Sequence, residues 1–415
     1  MAVFSVFKNT VLLLFFILSS CGNPSKAHNK APDSKVAQDT IAADLPINIA
    51  ANRTETYLPL LQGKKVGIVA NQTSVIFKDT QPLSFTHIVD SLLAHNIAIK
   101  QVFAPEHGFR GEADAGEKVS DGKDEKTGLP IISLYGKNRK PSNEQLKNID
   151  IVLFDIQDVG VRFYTYIATM QLVMEACAIN NIPVIVLDRP NPNAHYVDGP
   201  TMETEHRGFL GMTNIPLVYG MTIGEYANMI NQEGWLENKV VADLTVIPME
   251  HYDHHKDYIL PIRPSPNLPN NTSIYLYPSL GLFEGTNVNA GRGTEFQFQR
   301  YGAPFMDSTK YNFKYTPTPN FGSKDPKHNG EICFGKDLSK TPKKDTVDLD
   351  YILDAYGNTK DKSLFFNTNG FTKHAGTADL QKQIEAGLSQ KEIKKTWQND
   401  ISRFKKIRAK YLIYN

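Results

Sequence analysis

Short apolar runs alternate with helical patterns through the first half of the chain. The strand-like runs cover residues 65–70, 97–104, 130–134, 149–154 and 183–187. Apolar side chains at helical spacing instead cover residues 85–95 and 165–180. Strands that are apolar on both faces and alternate with helices predict an α/β fold, in which a parallel sheet is covered by helices on both sides.

The second half of the chain has a less regular pattern. Thr222 and Glu225 have the spacing of a capping box, which predicts a helix over residues 223–232. A strand is expected over residues 244–249. Residues 306–345 are rich in Lys, Asn and Pro and predict exposed surface, whereas the charged segment 380–411 predicts a helical region that closes the fold.

Charge and cysteine content exclude several classes of protein. The chain of 415 residues has 45 Lys and Arg against 44 Asp and Glu, a formal charge of +1. This balance excludes a strongly basic nucleic-acid-binding protein and a polybasic membrane-surface binder. Its 3 cysteines cannot form a disulfide framework. Cys177 lies in an apolar helical pattern and is expected to be a buried thiol.

The first residues form a separate segment. Residues 1–20 have one Lys before a short apolar core, which is typical of a signal peptide. Residues 18–21, Leu-Ser-Ser-Cys, resemble the bacterial lipobox, so Cys21 is the expected site of lipidation; an ordinary secretory signal is the alternative. Residues 21–48 predict a flexible tether. We therefore expect a lipoprotein held by Cys21 on the periplasmic side of a bacterial membrane.

Polar side chains follow the predicted strands and are candidates for a functional site. In an open α/β sheet, ligands bind beyond the carboxyl ends of the strands, so these side chains are expected on one rim. They are Asn71, Glu106, His107, Asp155, Gln157, Asp158, Asp188, Arg189 and Asn191. Each residue alone could also have a purely structural role, because Asp often caps a helix and Arg-Pro-Asn-Pro often forms a turn.

Motifs for nucleotide and metal chemistry are absent from the sequence. There is no G-x-G-x-x-G, P-loop, H-E-x-x-H, G-x-S-x-G or C-x-x-C. The cluster at residues 251–255, His-Tyr-Asp-His-His, has its ligand types adjacent rather than spaced, so it is not expected to bind a metal. We therefore predict no cofactor, no metal and no nucleotide.

Several segments in chain order resemble the exo-β-N-acetylmuramidase family of the NamZ type, long catalogued as a domain of unknown function. The segments include Asn71-Gln72-Thr73, Glu106-His107-Gly108-Phe109-Arg110-Gly111, residues 154–166, residues 187–192, Ser265-Pro266-Asn267, residues 283–287 and Gly291-Arg292-Gly293-Thr294. The resemblance implies a Rossmann-like N-terminal domain without nucleotide at residues 49–212. It also implies a smaller α+β C-terminal domain at residues 213–415 and a cleft between the two.

The same resemblance implies a glycoside hydrolase that acts on peptidoglycan disaccharides or muropeptides. It would release N-acetylmuramic acid (MurNAc) from the non-reducing end of MurNAc-β-1,4-GlcNAc units. Such hydrolysis needs a proton donor and stabilisation of an oxocarbenium-like transition state. Glu106, next to His107, is our first choice for the general acid. Asp155, Asp158 and Glu284 are candidates for the second group, and the substrate's own acetamido oxygen is an alternative nucleophile.

Binding residues are expected from the chemistry of this substrate. Its lactyl carboxylate predicts a contact with Arg162, Arg189 or Arg292, although each of these could instead pair with a neighbouring aspartate. Tyr164 and Tyr166 are expected to stack on a sugar ring or to pack in the core. Asn191 and Asn267 can bond to hydroxyl or N-acetyl groups.

Two other functions remain open at this stage. A lipoprotein that only binds muropeptides would keep the same rim without needing Glu106. An amidase or esterase would use His107 with a carboxylate and leave the glycosidic bond intact.

Overall fold

A seven-stranded sheet forms the centre of the chain in a computed structural model that describes residues 45–79, 84–110 and 121–415. The predicted signal peptide, Cys21 and all of the tether before residue 45 lie outside the described residues. The sheet has the strand order β11-β8-β7-β1-β4-β6-β5. All its neighbours pair in parallel except β5 with β6.

The described strands have the following bounds: β1 Lys65–Ala70, β2 Val75–Asp79, β3 Ser84–His87, β4 Ala98–Ala104, β5 Gly122–Lys123, β6 Pro130–Ser133, β7 Ile151–Asp155, β8 Val184–Leu187, β9 Asp198–Thr201, β10 Pro216–Val218, β11 Leu244–Ile247, β12 Arg300–Ala303, β13 Phe313–Tyr315 and β14 Cys333–Asp337. The described α-helices are α1 Thr54–Leu61, α2 Ile88–Ala94, α3 Asn143–Leu146, α4 Tyr166–Ile179, α5 Ile223–Gln232, α6 Asn271–Leu280, α7 Asp350–Gly357, α8 Thr368–Ala375, α9 Asp379–Glu385, α10 Gln390–Thr396 and α11 Gln398–Arg408.

The central strands are buried on both faces, which explains their unbroken apolar runs. In β7, Val152 and Phe154 pack into one hydrophobic cluster, whereas Ile151 and Leu153 pack into the cluster on the opposite face. Alternate side chains of a strand point to opposite faces of its sheet, so both clusters draw on the same strands. The predicted α/β fold with a parallel sheet is confirmed.

Local signals placed several elements correctly. Thr222 accepts a hydrogen bond from the Glu225 backbone N–H, and the Glu225 side chain accepts one from the Thr222 N–H, so the capping box begins α5 as predicted. The helix expected over residues 85–95 was wrong at its start. Residues 84–87 form β3, which pairs antiparallel with β2, and the helix begins only at Ile88.

A smaller C-terminal region follows the main sheet. It contains a three-stranded sheet in the order β12-β14-β13 and the helices from α6 to α11. Strand β11 lies beyond residue 212 and still pairs with β8 in the main sheet. The domain division at residues 212 and 213 stays a prediction. Across the part of the chain that is described, no helix is both long enough and apolar enough to cross a membrane.

Candidate active site

A cavity of about 1090 Å³ opens beyond the carboxyl ends of β4 and β6. Residues that follow these strands, among them Glu106 and Tyr135, line one side of it. Residues of the C-terminal half, among them Asn267, Glu284 and Arg292, line the other side. The cavity therefore lies where ligands bind in open α/β sheets, and the second half of the chain completes it.

A sharp turn after β4 brings Glu106 to the cavity. His107 and Gly108 both have positive φ, 69° and 77°, and the Gly108 N–H donates to the Pro105 carbonyl at 3.0 Å. Positive φ is uncommon for residues other than glycine, so two consecutive residues with positive φ give this turn a specific local shape. The Thr165 hydroxyl donates to Oε2 of Glu106 at 2.8 Å, so the carboxyl group is held from a second segment.

His107 connects this turn to the loop before α6. Its Nε2 atom lies 3.1 Å from the Ser265 hydroxyl, which also accepts a hydrogen bond from the Asn267 N–H at 3.1 Å. The Asn267 side-chain N–H donates to the Gly322 carbonyl at 2.7 Å. Its amide oxygen is buried and has no hydrogen-bond partner among the described residues. Asn267 lines the cavity, and this oxygen retains an unused capacity to accept a hydrogen bond.

Glu284 and Arg292 form an ion pair on the cavity wall, with 3.1 Å between Oε1 and Nε. Burial alone would raise the pKa of Glu284, but the charges of Arg292 and Lys327 outweigh burial and lower this pKa to about 2. Lys327 is itself held by the carbonyls of Phe283 and Thr286, at 3.0 and 2.6 Å. Glu284 is therefore a carboxylate at neutral pH.

The terminal nitrogens of Arg292 are available for a ligand. Its Nε bonds to Glu284, and its guanidinium carbon lies 5.1 Å from the centre of the Phe298 ring. Within the described residues, its two Nη atoms have no hydrogen-bond partner. A guanidinium whose two Nη groups form a free edge is suited to bind a carboxylate.

Aromatic rings form another part of the wall. Phe163 packs edge to face against Tyr277, with 5.1 Å between the ring centres, and the Tyr164 ring lies 6.1 Å from that of Tyr277. The Tyr164 hydroxyl donates to the Pro264 carbonyl at 2.7 Å. These contacts hold an apolar surface in place beside the carboxylates and the guanidinium.

Six of the side chains singled out from the sequence line the cavity. They are Glu106, His107, Tyr164, Asn267, Glu284 and Arg292. The other nine do not belong to its lining: Asn71, Asp155, Gln157, Asp158, Arg162, Tyr166, Asp188, Arg189 and Asn191. All nine are buried. Most of them do converge after the strands, but they form hydrogen bonds to one another or to the backbone rather than a ligand-accessible rim.

Asp155 and Arg189 illustrate this packing. Arg189 donates from Nε and Nη2 to the two oxygens of Asp155, at 2.6 and 2.8 Å. Asp188 accepts hydrogen bonds from the Thr222 hydroxyl and the Gly224 N–H at the start of α5. The Gln157 side chain donates to the Pro190 carbonyl at 2.6 Å. Arg189 therefore pairs with a neighbouring aspartate, which is the alternative that the sequence analysis gave to a contact with the lactyl carboxylate.

Arg162 binds carbonyl groups rather than a carboxylate. Nη1 donates to the carbonyls of Pro200 and Ile215, at 2.7 and 3.0 Å, and Nη2 donates to those of His374 and Ala375, at 3.0 and 2.7 Å. Burial lowers its pKa to about 9. Arg162 thus joins the segment after β7 to β9, to the loop before β10 and to the end of α8.

Asp158 is a buried acid beside the aromatic wall. Its Oδ2 accepts hydrogen bonds from the Tyr219 hydroxyl and from the Gly160 N–H. Its Oδ1 has no partner among the described residues. Burial outweighs the hydrogen bonds and raises the pKa of Asp158 to about 6. Gly160 has a φ of 74°, and a Cβ at this position would lie 2.2 Å from the Asn191 side chain, which makes the turn specific for glycine.

Several residues of the cavity were missed by sequence reasoning. They include Arg139, Arg207, Lys324, Lys327, Lys373 and His374. The expectation that residues 306–345 are surface was wrong for Gly322, Ser323 and Pro326, which are buried, although the whole segment 322–327 lines the cavity. These residues are polar and lie in segments without periodicity, so no local pattern distinguishes them from exposed loop residues.

The histidine cluster at residues 251–255 has a structural role at His254. Its Nε2 lies 2.8 Å from Oε2 of Glu225, and its Nδ1 lies 3.1 Å from the backbone oxygen of Asn415.

A different group of potential metal ligands occurs elsewhere in the described residues. One ligand atom from each of Glu203, Glu205 and His206 lies within 4.8 Å of the other two. Glu203 already accepts a hydrogen bond from the Thr377 hydroxyl at 2.7 Å.

Comparisons with protein families match nearly all of the described chain. The family model described as "Exo-beta-N-acetylmuramidase NamZ, N-terminal" matches residues 66–272, and the model described as "Exo-beta-N-acetylmuramidase NamZ, C-terminal" matches residues 275–414. The chain is 38% identical to the peptidoglycan beta-N-acetylmuramidase NamZ of Bacillus subtilis (strain 168), over 98% of each chain.

Solved structures with similar folds come from Bacteroides fragilis NCTC 9343. One DUF1343 family protein is 43% identical, with a TM-score of 0.81, over 89% of this chain and 99% of its own. A second DUF1343 family protein is 28% identical, with a TM-score of 0.73, over the same shares of the two chains. The similarity therefore extends over both halves of the fold and over the cavity between them.

Proposed function

Because this chain belongs to the exo-β-N-acetylmuramidase NamZ family, it is an exo-acting glycoside hydrolase of peptidoglycan, and we propose that it releases MurNAc from the non-reducing end of MurNAc-β-1,4-GlcNAc fragments. The observation that carries the proposal is one cavity shared by Glu106 and by the Glu284–Arg292 ion pair. Two carboxyl groups and a carboxylate-binding cation are what this substrate requires.

Glu106 is the proposed general acid. Its carboxyl group would donate a proton to the glycosidic oxygen as the bond to the leaving GlcNAc breaks. The Thr165 hydroxyl at 2.8 Å orients it, and the positive φ angles of His107 and Gly108 shape the turn that directly follows it. Positioning of this kind fixes the direction in which the proton is delivered.

Glu284 is the proposed anionic partner. Because its pKa is lowered to about 2, it is ionised across the neutral range and suits the stabilisation of positive charge on the sugar ring. The same charge could orient the substrate's acetamido group, whose oxygen would then attack the anomeric carbon. Both mechanisms use Glu284 as a carboxylate and Glu106 as the acid.

Arg292 is the proposed reader of the lactyl carboxylate. Of the three arginines considered from the sequence, Arg162 is bonded to carbonyls and Arg189 to Asp155. Only Arg292 of these three lines the cavity. The unpartnered amide oxygen of Asn267 is the proposed acceptor for the acetamido N–H or a hydroxyl of the sugar.

The cellular setting is part of the proposal. The lipobox ending at Cys21 supports a lipoprotein that is held on the periplasmic side of the membrane. Acyl chains on Cys21 would anchor the protein firmly only when several act together. In this location the enzyme would act on fragments released during turnover or recycling of the cell wall.

Chromogenic β-MurNAc and β-GlcNAc substrates test the proposal directly. Wild-type protein should cleave β-MurNAc much faster, and it should release free MurNAc from the MurNAc-GlcNAc disaccharide. Activity should survive dialysis against EDTA, because we expect no metal. Binding of the disaccharide without cleavage would instead indicate a binding lipoprotein.

The Ser265–His107 contact favours one other candidate, an amidase or esterase. A hydroxyl 3.1 Å from an imidazole is the arrangement of an activated nucleophile. Such an enzyme would release lactate or stem peptide and leave the disaccharide bond intact. Mass analysis of the products, together with Ser265→Ala, distinguishes the two: a hydrolase of this second kind would lose its activity completely.

A further inference from the structure

A second, smaller groove lies beside the active-site cavity. Its volume is about 510 Å³, and Arg139, Arg207, Gly208 and Phe209 line both it and the cavity. These shared residues form the boundary between the two adjacent spaces. The groove extends from there along Lys137 and other residues of the segments around α3 and β10.

The groove is positively charged. Lys137, Arg139, Lys140 and Arg207 line it, and none of its lining residues is acidic. Lys140 is committed to Glu175 and Glu237, at 3.0 and 2.8 Å. Lys137, Arg139 and Arg207 are exposed. An exposed cationic groove beside an active site attracts an anionic ligand.

An aromatic surface lies at the junction of the two spaces. The Arg139 guanidinium carbon lies 4.2 Å from the centre of the Phe209 ring, and the Phe209 and Tyr135 rings are 6.3 Å apart. The cation–π contact holds the Arg139 side chain against the ring. An apolar ring face beside a fixed cation offers contacts for a sugar, whose C–H face is apolar, and for a carboxylate attached to it.

We propose that this groove binds the leaving part of a longer glycan strand, with the carboxylate of its next muramic acid held by Lys137, Arg139 and Arg207. The inference rests on the proposed function. An exo-acting enzyme encloses the non-reducing terminal sugar, so a longer glycan can continue only on the leaving-group side. The groove adjoins the cavity at Arg139, Arg207 and Phe209, and its charge matches the carboxylate that recurs on every second sugar.

The proposal predicts a preference for longer substrates. The substrates are the MurNAc-GlcNAc disaccharide and the peptide-free tetrasaccharide (MurNAc-GlcNAc)₂, and the quantity is the ratio of kcat/KM for the tetrasaccharide to that for the disaccharide. The disaccharide has no second carboxylate, so general damage to the enzyme cancels in the ratio. Wild-type protein should favour the tetrasaccharide.

Variants in the groove should reduce that ratio. Each of Lys137→Gln and Arg139→Gln should lower it about three- to fivefold, as expected for exposed ion pairs, and the double variant should lower it about tenfold. Phe209→Ala should lower it as well. The wild-type ratio should fall between low and high salt, because exposed charge pairs are screened. Lys310→Gln, at an exposed lysine that lines neither space, is the matched control.

Three results would overturn the inference. The ratio could be equal to one in wild-type protein, or it could remain unchanged in the double variant. Alternatively, the double variant could impair only a disaccharide that carries a stem peptide, in which case the groove binds peptide rather than glycan. Failure of wild-type protein to cleave the disaccharide at all would be a different result, because it refutes the proposed function itself.

Discussion

The Nε atom of Arg292 lies 3.1 Å from Oε1 of Glu284, and both side chains line the active-site cavity. This single contact has two consequences. It helps to keep Glu284 ionised against the effect of its burial. It also fixes the guanidinium by its Nε edge, which leaves the two Nη atoms for a ligand.

Arg292→Lys separates these two consequences. Lysine keeps a positive charge near Glu284 but loses the planar fork that binds a carboxylate in two places. We expect the preference for β-MurNAc over β-GlcNAc to fall by roughly 10- to 150-fold, which corresponds to about 1.5–3 kcal/mol for a charged hydrogen bond. The measurement is kcat/KM for the two chromogenic substrates.

The β-GlcNAc substrate serves as the internal control for Arg292→Lys, because it lacks only the lactyl ether. Its kcat/KM should change far less than that of β-MurNAc. Equal losses on both substrates would show that Arg292 acts through Glu284 rather than on the carboxylate.

Arg162→Met tests the structural role of the buried guanidinium. The substitution keeps much of the side-chain volume but removes the guanidinium donor from four carbonyls, including those of His374 and Ala375. The Ile215 carbonyl still accepts a hydrogen bond from the Met202 N–H at 3.0 Å. We expect the free energy of unfolding to decrease by at least about 3 kcal/mol, as urea denaturation would measure. Arg403→Met, at a side chain that is 77% exposed, is the control and should change it by less than about 0.5 kcal/mol.

Asp158→Asn tests the buried acid through the pH dependence of stability. The ordinary pKa of 3.8 is raised to about 6 in the folded protein, so between these values the folded state binds the proton more strongly than the unfolded state. The contribution of Asp158 to stability is therefore fully present below pH 3.8 and is lost as the pH rises through 6. Asparagine cannot ionise and avoids this loss.

The stability of the Asp158→Asn variant relative to wild type should thus improve between pH 4 and pH 8, by up to about 3 kcal/mol. Urea denaturation at the two pH values measures this difference, and other titrating groups cancel because both proteins contain them. A difference that is independent of pH would mean that Asp158 stays ionised in the folded protein.

The sequence predicted the sheet well because its strands are apolar on both faces. Burial on two faces produces a continuous run, and six of the seven strands in the sheet were predicted, all but β5. Strand β3 was missed because Phe85 is exposed and because the four residues of this strand, Ser-Phe-Thr-His, contain no continuous apolar run. The helical spacing of residues 88–94 was wrongly taken to begin at residue 85, within β3.

The site was predictable only in part, because contacts between distant segments determine which polar residues face the cavity. Polar residues after strands were correctly expected to converge. Whether a polar side chain faces the cavity or the interior depends on its hydrogen-bond partners. Arg189 bonds to Asp155, which is 34 residues away in the sequence. Arg162 bonds to the carbonyl of Ala375, which is 213 residues away. No local pattern encodes such pairs, and Lys327 looked like an ordinary loop residue for the same reason.

Cys21→Ser tests the proposed lipid anchor. Lipidation occurs on the cysteine sulfur, so the serine variant should accumulate as an unprocessed precursor and should lose the acyl label. Metabolic labelling with a fatty acid and fractionation of membranes measure both effects. Cys177→Ser is the control, because this cysteine is buried in α4. Label that persists in Cys21→Ser would place the anchor elsewhere or reject it.

Glu106→Gln tests the proposed general acid. Glutamine keeps the shape of the side chain and can still accept the hydrogen bond from Thr165, but it has no proton to transfer. We expect kcat on the MurNAc-GlcNAc disaccharide to fall by about 10²–10⁴-fold, the usual contribution of general acid catalysis. The loss should be in kcat rather than in substrate binding, because the proton moves only in the transition state.

The leaving group decides whether Glu106 acts as the acid or in another role. A nitrophenolate leaves readily without a proton, so bond cleavage in Glu106→Gln should be impaired far less on nitrophenyl β-MurNAc than on the disaccharide. Single-turnover kinetics on both substrates measure this first step. Glu284→Gln is the matched comparison, because loss of an anionic partner should slow both substrates alike. If Glu106→Gln also slowed both alike, Glu106 would be a nucleophile or an orienting group, and full activity on the disaccharide would remove it from the mechanism.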